Sequence, residues 1–270
     1  MIITCVGDCG VDSYTDISVL RPGGITLNFA IHSRALFPST DTIQIVSAIG
    51  TDMNSSLVEK TIKDNNIASY ITKLEGNTPI QYITLDKNKE KNFTKYEEGV
   101  LQGYSINQEQ QQIIQNSDFV IMVIFNQLES LFESAIKSQF KGLVAIDFMN
   151  LADYGKNTDI VEKYIKYFDI GFFGLKKDET ELINKLQNIA NINKKIFVIT
   201  LGSEGSIAQD VDISFSEKAV PVNHVKDTTG AGDAFAAAFI KTYLYTKNIG
   251  LSLKAGSSYA SDIVQKIGSF

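Results

Sequence analysis

Asp227-Thr228-Thr229-Gly230-Ala231-Gly232-Asp233 runs straight into residues 234–245, an apolar stretch rich in Ala and Phe. The pattern predicts a helix with a glycine turn at its N-terminus. Glycines let successive backbone N–H groups point at one spot, and the helix dipole adds partial positive charge there. Such a turn is an anion site of the kind that takes a phosphate. Asp233 falls in the first turn, beside the anion. A carboxylate there repels a phosphate that is merely held, but it serves as a base for an attacking hydroxyl. N–H groups for a transferred phosphoryl and a carboxylate for the nucleophile are the two parts phosphoryl transfer needs. On these residues alone, a capped core helix with an ordinary N-terminal aspartate is the competing reading.

Outward from this stretch, short apolar runs alternate with helical patterns. Residues 2–7, 43–49, 119–125, 143–148, 170–173 and 196–201 read as strands buried on both faces of a parallel sheet. Leu27, Ala30, Ile31 and Ala35 mark one face of a helix starting near Thr26. Further helices are predicted over residues 54–65, 108–112, 129–139, 158–167 and 179–189. The alternation indicates βαβ units and a doubly wound α/β sheet. Two stretches break it. Residues 15–20 look short and extended, and residues 80–86 and 93–96 read as a hairpin around a polar turn at 87–92. These pieces predict a small separate β layer near the ligand edge, placed as a lid over about 13–22 and 78–100 of a single domain spanning 1–270.

The 270 residues carry 25 Lys+Arg against 31 Asp+Glu, a net charge of −6, with a mean hydropathy of −0.01. That balance disfavours a nucleic-acid partner, which needs basic stripes. No apolar run reaches membrane-spanning length. Two cysteines, Cys5 and Cys9, suit buried thiols in a reducing cytoplasm, and no leader is visible ahead of Ile2. With only His32 and His224 present, a histidine-based metal site or triad is not expected. A P-loop G-x-x-x-x-G-K-[ST] and a G-x-G-x-x-G after the first strand are both missing, which disfavours a P-loop enzyme and a Rossmann oxidoreductase.

Three further segments carry candidate contacts. Gly23-Gly24, followed by Asn28, opens the first helix; the glycines allow a ligand near the backbone, and Asn28 offers donor and acceptor to a polyol. A plain turn and helix start reads equally well. Asp12 lies just past the first strand, where ligands of open α/β sheets bind; it can accept two hydroxyls, or be a solvated turn residue. Thr200, Gly202 and Gly205 end a strand with groups suited to phosphates or ribose; a Gly-rich turn with no ligand is the competing reading.

In this order, the four segments resemble the ribokinase-like, PfkB family of carbohydrate kinases. The run 227–233 matches the family's D-T-x-G-A-G-D signature at every position. The resemblance implies a ribokinase-like three-layer α/β/α sandwich with a mostly parallel central sheet and a small β lid. It implies Asp233 as catalytic base, Gly230, Ala231 and Gly232 as anion hole, Asp12, Gly23, Gly24 and Asn28 as sugar contacts, and Thr200, Gly202, Gly205 and Thr228 as ATP contacts. It implies ATP and Mg²⁺, raises a monovalent cation such as K⁺, and suggests a homodimer through the lid. Lys176 stands where the family's N-x-x-E has Asn; Glu179 keeps the acid as the metal residue. Within the family, Gly7-Asp8, Val11-Asp12, residues 96–100 and Ile146-Asp147-Phe148 look most like the fructoselysine kinases. Glu98 in the lid is then the acid expected to suit a cationic amine. Fructokinase, ribokinase and nucleoside kinase activities share the main signature, and a non-catalytic sugar or nucleotide sensor is the rival of a different class.

Overall fold

Apolar runs with Val, Ile and Phe on both faces have no solvent side, so they pair in parallel and are covered by helices above and below. In chain order the elements are β1 (Ile2–Val6), β2 (Gly10–Tyr14), β3 (Val19–Gly23), α1 (Ile25–Leu36), β4 (Thr42–Ile49), α2 (Met53–Asp64), β5 (Ala68–Lys73), β6 (Ile80–Leu85), β7 (Lys91–Glu97), α3 (Gln108–Gln115), β8 (Phe119–Val123), α4 (Glu129–Ile136), β9 (Leu143–Asp147), α5 (Asp159–Tyr164), β10 (Ile170–Gly174), α6 (Thr180–Asn193), β11 (Ile196–Thr200), β12 (Ser206–Asp210), β13 (Ile213–Glu217), α7 (Ala231–Thr246) and α8 (Ile249–Ile263). This is a computed structural model, and it describes residues 1–85 and 91–270.

The large sheet has the order β13-β12-β11-β10-β9-β8-β1-β4-β5. Every pairing from β11 to β5 is parallel; β12 and β13 add an antiparallel edge. One face buries α1, α2, α7 and α8 through residues such as Leu27, Val58, Phe239 and Leu253. The other buries α3 to α6 through Ile114, Phe132, Val161 and Leu186. The result is the expected three-layer α/β/α sandwich. β1 lies between β4 and β8, so the chain leaves it in opposite directions. Such a switch point opens a crevice beyond the strands' carboxyl ends.

The small sheet, β3-β2-β6-β7, is the expected extra β layer, with a different composition. Residues 15–18 are a turn, not a strand: Ser18 is left-handed, with φ 51°, and the Asp16 carboxylate accepts Leu85 N–H at 2.8 Å. The strands are β2 and β3 on either side. β2 thus takes in Asp12, which sits on a buried strand rather than in a solvated turn. β6 and β7 form the hairpin; its polar turn falls largely on residues 86–90, outside the described residues. Among the described residues, no helix is long and apolar enough to cross a membrane. Cys5 and Cys9 are both buried free thiols, whose pKa values burial pushes well up.

Candidate active site

A cleft of about 820 Å³ follows the carboxyl edge of the large sheet from Thr200 to Asp8, beneath the small sheet. α7 brings Gly230, Gly232 and Asp233 to it, and α1 brings Gly24 and Asn28. These two helices pack against each other. Asn28 Nδ2 consequently donates to Asp233 Oδ2 at 2.8 Å, fixing the carboxylate of the expected base. Asn28 is 4% exposed, and its Oδ1 has no partner within the protein. A buried acceptor left open on a cleft wall suits a ligand hydroxyl.

The glycine turn is as the sequence requires. Gly230 caps α7 with φ 76°, and a Cβ there would come within 2.6 Å of the Ser269 carbonyl. Around Gly232 a Cβ would meet nothing within 4 Å, which leaves room for an anion. The first N–H groups of α7 have no carbonyl four residues back, and so are donors for it. Ala231 contributes less than expected: its N–H turns back to Thr228 O at 3.3 Å, and it does not line the cleft.

Asp227 holds this turn from below. It is 0% exposed and accepts from Tyr14 Oη at 2.7 Å and from the N–H groups of Thr229 and Gly268 at 2.8 Å each. Burial acts to raise its pKa, but hydrogen bonds from Thr229, Tyr14 and Gly268 outweigh that and hold it below the usual carboxylate range. The C-terminal tail is latched a second time: Ser269 O lies 2.8 Å from His32 Nε2. Burial holds that imidazole's pKa down to about 4, so it is neutral at pH 7 and its Nε2 is the donor. The tail therefore walls the anion turn, a role that no pattern in residues 264–270 announces.

Asp12 is 3% exposed on β2 and lines the cleft. Gly23 does not line it; a Cβ at Gly23 would come within 2.3 Å of the Asp12 carboxylate, so this glycine makes room for the acid. Gly24, with φ 103°, has no side chain to cap α1, and Asp8 does so instead, accepting Ile25 and Thr26 N–H at 3.2 Å each. Burial pushes the Asp8 carboxyl up, against those two bonds.

On the opposite end Thr200 lines the cleft, donating to Phe173 O at 3.3 Å. Gly202 and Gly205 do not; they turn β11 into β12, and a Cβ on Gly205 would come within 2.2 Å of Glu217 O. Thr229 rather than Thr228 reaches the cleft. Glu98 is half-buried, caps a single 3₁₀ turn and is not part of the lining. Glu179 is also outside it: its carboxylate accepts Lys176 N–H at 2.7 Å and pairs with Lys156 at 2.9 Å. Lining residues that sequence reasoning did not assign are Tyr96, Phe125, Asp153 and Tyr154. Asp147 and Phe148, like Tyr96, belong to segments that carry the family resemblance without a site role.

Residues 167–269 match the family model described as "pfkB family carbohydrate kinase". Over its whole length the chain is 25% identical to fructosamine kinase FrlD of Bacillus subtilis (strain 168), covering 93% of that protein. It is 24% identical to fructoselysine 6-kinase of Escherichia coli (strain K12), across 99% of both chains. The crystal structure of adenosine kinase from Sinorhizobium meliloti shares the fold, with a TM-score of 0.84, 16% identity, and coverage of 99% of this chain and 94% of that one. The intact aspartate and glycine turn at the head of α7 fall inside the matched residues 167–269, which carry the similarity to the pfkB family carbohydrate kinases.

Proposed function

We propose that the cleft transfers the γ-phosphoryl of ATP to a primary hydroxyl of a ketose-type sugar, and that the sugar is a fructosamine such as fructoselysine. The observation that carries the transfer is the Asn28–Asp233 contact beside the open face of Gly232. Asp233 takes the proton from the attacking hydroxyl. Asn28 fixes the base with its amide and receives a sugar hydroxyl at Oδ1. Asp12 and the Gly24 backbone hold the rest of the ring. The N–H groups at the start of α7 stabilise the charge that spreads over the phosphoryl oxygens. A non-catalytic sensor has no use for a carboxylate fixed against an anion turn.

The nucleotide enters from the Thr200 side, with Thr229 toward its phosphates. Mg²⁺ and a monovalent cation such as K⁺ belong to this reading as ions that accompany the nucleotide. Among the described residues no group of three or more His, Cys, Asp or Glu is placed to hold a metal ion. Glu179, engaged by Lys156, does not fit a protein-held metal site as it stands. A homodimer through the small sheet is supported by the exposure of Ile17, Leu20 and Phe93. The free thiols suit a cytoplasmic enzyme.

The fructosamine assignment rests on the two whole-chain relatives. A panel of ketoses, fructosamines and nucleosides with ATP, scored by ADP release, tests it. The expected kcat/KM for fructoselysine exceeds that for fructose by at least about 10²-fold, because a site built for polar groups rejects an analogue that lacks them. A better rate with fructose, ribose or a nucleoside overturns the assignment and keeps the kinase.

β6 and β7 contribute Gln81 and Lys95 to the cleft roof. Closing that roof keeps water from accepting the phosphoryl. Sugar binding is therefore expected to slow amide hydrogen exchange in both strands, and equal exchange with and without sugar removes the lid role.

A further inference from the structure

The cleft has a second wall, which the transfer step does not use. It is built where β8 and β9 end, from Phe125, Gln127, Asp153 and Tyr154, and Tyr96 of β7 stands over it. Tyr96 meets Phe125 edge-on, with ring centroids 5.4 Å apart. The hydroxyls of Tyr96 and Tyr154 are both buried and both lack a partner in the protein. A buried hydroxyl without a hydrogen bond is unfavourable, and such exceptions mark places where something else binds. Two on one wall of one cleft point to a ligand there.

Charge and position say which ligand. Among its described residues the cleft is lined by five aspartates and one lysine, Lys95, which is itself ion-paired with Glu97. Glu98, the acid expected to meet an amine, is absent from the lining, whereas Asp153 is present. Its carboxylate is steadied by Asn126 N–H at 3.2 Å. Asp233 and the anion turn come from the helix layer of α1 and α7. The second wall adjoins the other layer, that of α4 and α5. A sugar with its reacting hydroxyl at Asp233 directs its far end away from α7.

We propose that Tyr96, Phe125, Asp153 and Tyr154 form a subsite for the cationic, amine-bearing substituent of the sugar. The aromatic faces take its alkyl chain and ammonium, Asp153 pairs with the charge, and the two phenols bond its polar groups. The inference rests on the fructosamine reading and deepens it by naming the residues that discriminate.

The test compares kcat/KM for fructoselysine and for fructose in the parent, Tyr154→Phe and Asp153→Asn. In the parent the ratio favours fructoselysine. In each variant the ratio is expected to fall about tenfold or more, with KM for ATP unchanged. In Tyr154→Phe, the thermal midpoint of the free enzyme should stay at or above the parent's, because the hydroxyl removed has no partner in the fold. A parent that does not prefer fructoselysine overturns the fructosamine reading and the subsite together. A parent that does, with ratios in both variants within twofold of it, overturns the subsite alone. So does a rise in KM for ATP in place of the change in ratio, or a lowered midpoint in Tyr154→Phe.

Discussion

Asp233→Asn leaves the fold and nucleotide binding in place and lowers turnover by about 10²–10⁴, the range for loss of a general base. The substitution is mild by geometry. Asn28 Nδ2 donates to Asp233 Oδ2, and the amide oxygen of an asparagine accepts the same bond. The α7 turn depends on Gly230 and on Asp227, neither of which the change touches. What is lost is the ability to take a proton. Turnover by ADP release, read beside nucleotide affinity by calorimetry, separates the two effects. The expected pattern is a collapse in kcat with nucleotide affinity within a few-fold of the parent. A kcat within a few-fold of the parent removes Asp233 from the proton transfer.

The buried parallel strands were legible because burial on both faces leaves a continuous apolar run, as in the fully buried Phe119–Val123. Elements that escaped reading lack that imprint. β5, Ala68–Lys73, is a half-exposed edge strand of mixed polarity. β12 and β13 form an antiparallel edge hairpin, and β13 is largely exposed. α8 contains Gly256 and several serines, which argue against a helix locally. Tertiary packing reverses that: a Cβ at Gly256 would come within 2.8 Å of the Phe235 ring, so the glycine admits α7 to close contact. In the small sheet, the turn at 15–18 was misplaced because nothing local marks Ser18 as left-handed.

The site divided along a similar line. The glycine turn at the head of α7 was visible, since glycine spacing at a helix start has few other causes. Gly23 and Gly205 were visible for the wrong reason: their spacing reflects the close approach of Asp12 and of Glu217 O, not a ligand contact. The second wall was hidden, because single aromatic and acidic residues on loops after β8 and β9 carry no spacing signal. Glu98 and Glu179 showed the reverse error. An acid in the right segment looks available in sequence, but Glu98 heads a 3₁₀ turn outside the cleft lining, and Lys156 engages Glu179.

Asp227→Ala is expected to cost about 3–5 kcal/mol of stability, since it strands three buried donors, each at roughly 1–3 kcal/mol. Tyr14 Oη, Thr229 N–H and Gly268 N–H converge on this one carboxylate, so the small sheet, the anion turn and the C-terminal tail all lose their common acceptor. Because Ser269 walls Gly230, a displaced tail also loosens the turn, and kcat should fall with stability. The pH dependence gives a separate check. Asp227 has a folded pKa below its unfolded one, near the ordinary value of about 3.9. Its stabilisation is therefore fully present above that unfolded value and is lost as pH falls through the folded pKa. Urea unfolding at pH 7 and at successively lower pH should show the parent losing stability more steeply than Asp227→Ala, so that the gap between them narrows in acid. A gap below about 1 kcal/mol at pH 7, the size of one ordinary hydrogen bond, or one that does not change with pH, would show that Asp227 does not tie these three elements together.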